Sequence, residues 1–267
     1  MRERFEWKKT GGLSILVPDF FSSLDLSGGF STRADEEGHS LDLDLRGSAA
    51  GPVVLSSRRR IAAAMGIGFD SMVFAEQVHG GVAALVGMDD AGRGATDPAD
   101  AVPGADALVT GSPGLAVAAL SADCPLVLMA DEARRAVAVV HSGWRSTASE
   151  AISAALDQLF ALGVELSDIH AAVGPAIGPC CYEVGRELLS HFPQTLVEAP
   201  GIFTERGGCL YLDLAGAIRR QLVDSGVEAE RISAAPYCTS CETELFFSYR
   251  REGQAAGRCA GVIAAGR

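Results

Sequence analysis

The stretch Ala107–Arg145, ALVTGSPGLAVAALSADCPLVLMADEARRAVAVVHSGWR, decides the reading of the fold. Four short apolar runs, Ala107–Thr110, Leu115–Leu120, Leu126–Ala130 and Ala136–Val140, are separated by Gly-, Pro- and Asp-containing turn signals, so each predicts a strand. Downstream, Thr147-Ala-Ser-Glu150 has capping-box spacing and apolar positions at helical intervals run on to Leu162 before Gly163, which predicts one helix there. Further helices are expected over Glu183–Phe192 and from an Asp213 N-cap to near Gly226, with a strand over Ile232–Pro236. Phe246–Arg250 and Arg258–Ala264 read as a hairpin across Gly253. Upstream, Met88–Ala105 is a loop rich in Asp, Gly and Pro, preceded by a helix over Ser57–Met65 and a strand at Met72–Phe74 that leads to Gln77-Val-His-Gly80. Strands and helices mix without strict alternation, so the expected class is α+β, with mixed β-sheets flanked by helices. The chain reads as a single domain over 1–267, with residues 1–29 a peripheral N-terminal segment at most. No Gly-x-Gly-x-x-Gly follows a strand, so a dinucleotide-binding fold gains no support.

Composition narrows the function. The 267 residues are 48% hydrophobic, ample for a sizeable core, and carry a net charge of −12. That balance argues against nucleic acid and against an anionic membrane surface as partners. Lys8 and Lys9 are the only lysines, so there is no P-loop lysine and phosphate chemistry would rest on arginine, backbone amides or a metal. No run approaches the roughly 18 apolar residues of a membrane helix, and the N-terminus is charged from its second residue. Seven cysteines, an odd number, read as reduced thiols, and the cytoplasm is the expected compartment.

Three soft or imidazole ligands sit at the ends of apolar strands: His79, Cys124 and His141. Two imidazoles and a thiolate suit a catalytic zinc site with one open position, although copper would accept the same set. After His141, Ser-Gly-Trp-Arg145 runs into the expected helix, whose free amides and positive dipole end would face an anion, with Arg145 adding a charge-assisted fork and Trp144 a stacking ring. Asp123 reaches the same cavity if the strand breaks at Pro125, and is then a general base or orienter. Arg33 and Arg58 are further substrate candidates. The remaining constellation, Cys180-Cys181 with Cys238-Thr-Ser-Cys241, has no second CxxC, so Cys238 reads as lining a pocket and not as a ligand.

Gln77-Val-His-Gly80, Ala122-Asp-Cys-Pro125, Val140-His-Ser-Gly-Trp-Arg145, Gly174-Pro-Ala-Ile-Gly178 and Phe246-Phe-Ser-Tyr-Arg-Arg251 together resemble the YfiH family, also called the laccase-domain or multicopper polyphenol oxidoreductase family. The resemblance runs from about Phe30 to the C-terminus. It implies a zinc site of His79, Cys124 and His141. It also implies phosphorolysis of inosine, guanosine, adenosine or methylthioadenosine, so that a purine nucleoside and phosphate are the partners, with adenosine deamination alongside. Within that expectation Asp123 and Arg145 are catalytic, and Arg33, Arg58, Gln77 and Trp144 bind substrate. The chain departs from the family pattern at Ser40-Leu-Asp-Leu43, at Ser57-Arg58 and over Ala34–Gly38. Three other readings compete. Copper-dependent polyphenol oxidation needs more ligand sets than the spare His39, His170 and His191 offer in this sequence. A Cys124–His141 hydrolase would act on amino-acyl or peptidoglycan-precursor bonds. A metal-stabilised binding module would lose its fold on chelation.

Overall fold

The computed structural model describes residues 4–47, 51–133, 135–264 and 266. The chain begins with β1 (Phe5–Thr10), β2 (Leu13–Pro18), a short helix α1 (Asp19–Ser23) and β3 (Ser27–Ser31). Helix α2 (Gly51–Ala64) leads to β4 (Met72–Phe74), β5 (Ala83–Leu85), β6 (Ala107–Thr110), β7 (Ala116–Ser121), β8 (Leu126–Asp131) and β9 (Val137–His141). Then come α3 (Trp144–Ala148), α4 (Ala151–Ala161), β10 (Ile169–Val173), β11 (Glu183–Val184), α5 (Gln194–Val197), β12 (Phe203–Arg206) and β13 (Cys209–Leu212). The chain closes with α6 (Leu214–Asp224), β14 (Ile232–Ala234), α7 (Tyr249–Glu252) and β15 (Cys259–Ala264).

Two six-stranded mixed sheets, ordered β1-β2-β3-β15-β7-β4 and β14-β10-β8-β9-β6-β5, form the body, and β11-β13-β12 make a small third sheet. The class is α+β with mixed sheets and flanking helices, as the sequence predicts. Strands β6, β8 and β9 are buried along their whole length because they lie between two cores. Successive side chains point to opposite faces. Leu108, Leu128, Val137 and Val139 therefore enter one core with the first sheet, whereas Ala107, Val109, Val127, Met129, Ala138 and Val140 enter the other with α4 and α6. Burial on both faces is what turns these strands into continuous apolar runs in the sequence.

Four local expectations are corrected. The helix predicted from Thr147 is two helices: Glu150 takes a left-handed φ of 57°, and Thr147 Oγ1 bonds Ser142 Oγ and the Gly143 carbonyl in place of a capping box. Glu183–Phe192 is the strand β11 followed by a 3-10 turn over Arg186–His191. The C-terminal hairpin does not form: Ser248 caps the short helix α7, and β15 lies inside the first sheet, antiparallel to both β3 and β7. Cys238 does not line the main pocket. Residues 1–29 hold β1 at a sheet edge and β2 and β3 inside it, with Leu13, Ile15 and Leu16 in the core; residues 1–3 lie outside the described residues. Among the described residues no helix is long and apolar enough to cross a membrane.

Candidate active site

Strand register brings the ligands together. In the β8–β9 ladder Leu126 sits opposite His141, so Cys124, two residues earlier, arrives at the same rim. In the β6–β9 ladder Ala107 faces Val140, which places Asp106 beside His141, and the His141 amide donates to the Asp106 carbonyl at 2.8 Å. His79 comes from the loop after β4, where Gln77 and His79 take left-handed φ values of 58° and 60°. Such backbone is costly for a residue with a side chain and persists only where its surroundings hold it. The holder is Asp106, which is buried and accepts the amides of Val78 (3.1 Å), His79 (2.9 Å) and Gly80 (2.6 Å).

The same carboxylate takes His141 Nδ1 at 2.8 Å, leaving Nε2 to face the cavity. The candidate ligand atoms of His79, Cys124 and His141 all lie within 4.8 Å of one another. The two imidazoles meet edge to face at 4.8 Å between centroids. A Cβ on Gly143 would stand 2.8 Å from Cys124 Sγ and 3.4 Å from His79 Cδ2, so only glycine leaves this cradle open. Burial pushes the Cys124 thiol up, but hydrogen bonds from His141 and His79 outweigh it and bring it down to about 6. Burial likewise opposes charge on His141, yet Asp106 and Cys124 lift it to about 9. A thiolate between two imidazoles, one of them oriented by a buried carboxylate, fits a metal ion.

These three residues open on a cavity of about 620 Å³ that Gln77, Asp123, Trp144 and Arg145 also line. Asp123, at φ 93°, accepts Thr239 Oγ1 and the Arg250 amide, each at 2.6 Å, one on either carboxylate oxygen. Gln77 Nε2 donates to the Leu120 carbonyl and its Oε1 accepts the Leu120 amide, so its side chain extends the β7 ladder. Arg145 is exposed, and its guanidinium lies 4.3 Å over the Trp144 ring and makes no hydrogen bond or ion pair among the described residues. Helix α3, expected to be the start of a long helix, has only five residues, so positive charge in the pocket comes mainly from guanidinium groups.

Arg33 and Arg58 lie outside the cavity. Arg58 is buried, donates to the carbonyls of Leu43, Gly94 and Ala95, and covers the Phe74 ring. Arg33 pairs with Glu252, donates to the Thr243 carbonyl and covers Phe247. Both hold loops in place. The cavity instead gains Arg46, Arg250 and Arg258, with Tyr182 and Tyr249 on its walls. Of these, Arg250 and Tyr249 fall inside the Phe246–Arg251 motif, a signal that could have found them. Asp106 had only its place before a buried strand to betray it.

The chain is similar to known proteins over most of its length. Residues 24–266 match the family described as multi-copper polyphenol oxidoreductase laccase. A purine nucleoside phosphorylase, YlmD of Geobacillus stearothermophilus, is 35% identical over 271 aligned positions, covering 98% of this chain and 97% of that protein. An adenosine deaminase, RL5, from an unknown prokaryotic organism, is 32% identical and covers 77% of this chain and 79% of its own length. The crystal structure of YlmD from Geobacillus stearothermophilus superposes with a TM-score of 0.90 at 33% identity, over 99% of this chain and 100% of that one. That of YfiH from Bacillus licheniformis gives 0.87 at 29% identity, over 97% and 98%. Matched by the family model over residues 24–266 and similar over 97% or more of its length to YlmD and YfiH, the chain belongs to the multi-copper polyphenol oxidoreductase laccase family, the YfiH type.

Proposed function

We propose that this chain is a zinc-dependent purine nucleoside phosphorylase, converting inosine, guanosine, adenosine or methylthioadenosine and phosphate into base and pentose 1-phosphate, with adenosine deamination as a second activity. One observation carries the reading: a His–Cys–His set opens into a single cavity lined by Arg46, Arg145, Arg250 and Arg258 and by three aromatic rings. The names of the relatives support it.

In a chain of net charge −12, four arginines at one cavity make a local anion site. Arg145, whose guanidinium has no hydrogen-bonded partner among the described residues, is the arginine we assign to phosphate. Arg46, Arg250 and Arg258 already donate to carbonyls and add positive potential around it. Trp144, Tyr182 and Tyr249 offer faces to a purine. His79, Cys124 and His141 would hold zinc, and when bound the metal supplies Lewis acidity beside the substrate. Asp123 has one donor on each oxygen and keeps further acceptor capacity, so we assign its carboxylate to holding a proton at the base. All seven cysteines are unpaired, which fits a reducing compartment such as the cytoplasm.

The test is inosine turnover, with and without phosphate, on protein of measured metal content. Pentose 1-phosphate should form only with phosphate present, disappear in His79→Ala, and fall about 10²-fold in Arg145→Ala. Wild-type rates in both variants would sink the proposal. A second reading rests on the series Asp106, His141, Cys124, in which a carboxylate orients an imidazole beside a thiol with a lowered pKa. Hydrolysis of an amino-acyl bond by metal-free protein, stopped by iodoacetamide, would favour it. Polyphenol oxidation needs further copper ligands. His39, His170 and His191 lie apart, and among the described residues none joins a set able to hold a metal.

A further inference from the structure

Far along the chain from the first thiol, Cys180, Cys181, Cys238 and Cys241 bring their four Sγ atoms within 4.8 Å of one another. Cys180 and Cys181 lie in the loop after β10, and Cys238 and Cys241 in the loop after β14. The loops are zipped by a bridge between Ala176 and Cys238 and by the Thr239 amide donating to the Ala176 carbonyl at 3.0 Å. Cys241 Sγ is 3.7 Å from Cys180 Sγ and 3.4 Å from Cys181 Sγ. A tetrahedron of sulfurs about 2.3 Å from a zinc ion has edges of roughly 3.8 Å, so this spacing is that of a tetrathiolate cage.

The thiols converge on one centre. They do not resolve into two pairs, since Cys241 is a near neighbour of both members of the adjacent pair. The surroundings suit thiolates. Cys238 Sγ accepts the Gly178 amide at 3.2 Å, and the Cys241 amide donates to the Cys238 carbonyl at 3.1 Å, closing a tight turn between the two cysteines. A Cβ on Gly178 would come within 3.3 Å of Cys180 Sγ and of Cys238 Cβ, leaving no slack for a side chain. Two guanidinium groups border the cluster and would offset the net negative charge of a tetrathiolate zinc. Arg206 donates to the carbonyls of Pro179 and Cys180, and Arg251 to those of Thr239 and Ser240.

We infer that Cys180, Cys181, Cys238 and Cys241 form a second, structural metal site that takes a zinc ion and clamps one wall of the cavity. The clamp reaches the cavity through two residues: Tyr182, next to Cys181, lines it, and Thr239, between Cys238 and Cys241, donates to Asp123. Tetrahedral four-sulfur sets select zinc or iron, and four protein ligands leave no open position, as structural sites require. The site stands whatever reaction the first one carries.

The experiment counts metal in the full chain, purified without chelator, by plasma mass spectrometry. Wild type should carry two zinc ions per chain. Cys238→Ser/Cys241→Ser should carry one, His79→Ala/Cys124→Ser should carry one, and Cys209→Ser, outside both clusters, should keep two. Cobalt loaded into His79→Ala/Cys124→Ser should give the intense thiolate-to-metal charge-transfer bands of a four-sulfur site, a readout independent of activity. Should the serine variants fail to fold, wild type still decides, because mercurial titration should release two zinc ions. A single zinc ion per chain in wild type, released by His79→Ala/Cys124→Ser, would overturn the inference. So would a disulfide among the four cysteines, seen as the loss of two hydrogens in the intact mass.

Discussion

The two thiol clusters use the same element in opposite ways. Cys124 and His141 stand at the rims of buried strands and, with His79 from a loop, open on a cavity of about 620 Å³, whereas the four cysteines join two loops and face each other. The first set is short of a fourth ligand and is steered by a buried carboxylate, Asp106. The second has four sulfurs, one of them held by the Gly178 amide. Three ligands with a vacant direction leave room for substrate, while four sulfurs leave none. The difference teaches that ligand count and the cavity in front of it, more than the presence of cysteine, separate a site for chemistry from a staple.

Breaking the steering group should give the largest effect. Asp106→Asn keeps the size of the side chain but removes the charge that holds His141 and three amides, so metal affinity at the first cluster should fall about 10–100-fold, as measured by competition with a chelator. The four-cysteine metal should stay; simultaneous loss of both metals would erase the distinction. Thr239→Val is smaller and probes one of the two routes from the clamp to the cavity, the hydrogen bond to Asp123. It removes a donor to Asp123 worth about 1 kcal/mol, so kcat for inosine phosphorolysis should drop about 5-fold with both metals retained. An unchanged kcat would show that the clamp does not reach the chemistry through Thr239.

The smallest effect lies away from both clusters. Arg60 donates to the Asp35 carboxylate at 2.8 Å and, by this hydrogen bond first, helps lower its pKa from 3.8 to about 2. A carboxyl depressed in the folded state stabilises fully above its ordinary pKa and loses that contribution as pH falls through the folded value. The melting temperature of Arg60→Ala should thus lie slightly below wild type at pH 7, with the gap closing between pH 4 and 2. Metal content should be untouched at neutral pH. A gap that widens in acid would reject the assignment.

Legibility followed burial. Strands β6 to β9 were readable within a residue or so because both faces lie in a core, and β4 matched its expected range. Strands β1 and β3 were not, because Phe5–Thr10 is largely solvent-facing and Ser27–Ser31 contains two glycines, and β2 is the exception, a buried apolar run over Leu13–Pro18 that went unread. Phe246 and Phe247 look like a strand but are core residues ahead of a capped turn. His79, Cys124 and His141 were legible as a candidate set and do come together, Cys124 and His141 by strand register and His79 on a loop tied to Asp106. Asp106 acts through neighbours that only the fold supplies, and nothing local in the sequence separates Arg33 and Arg58 from Arg46 and Arg258, which line the cavity.

The sharing of β8 and β9 between two cores has a consequence for the order in which the molecule loosens. Their amides can exchange with solvent only when both layers open together, so they belong to the most protected, slowest-exchanging unit of the chain. Cys124 and His141 border that unit, whereas His79 and the flanking Val78 are exposed on a loop. The core thereby fixes Cys124 and His141, while His79 owes its place to the three amide hydrogen bonds that its loop gives to Asp106.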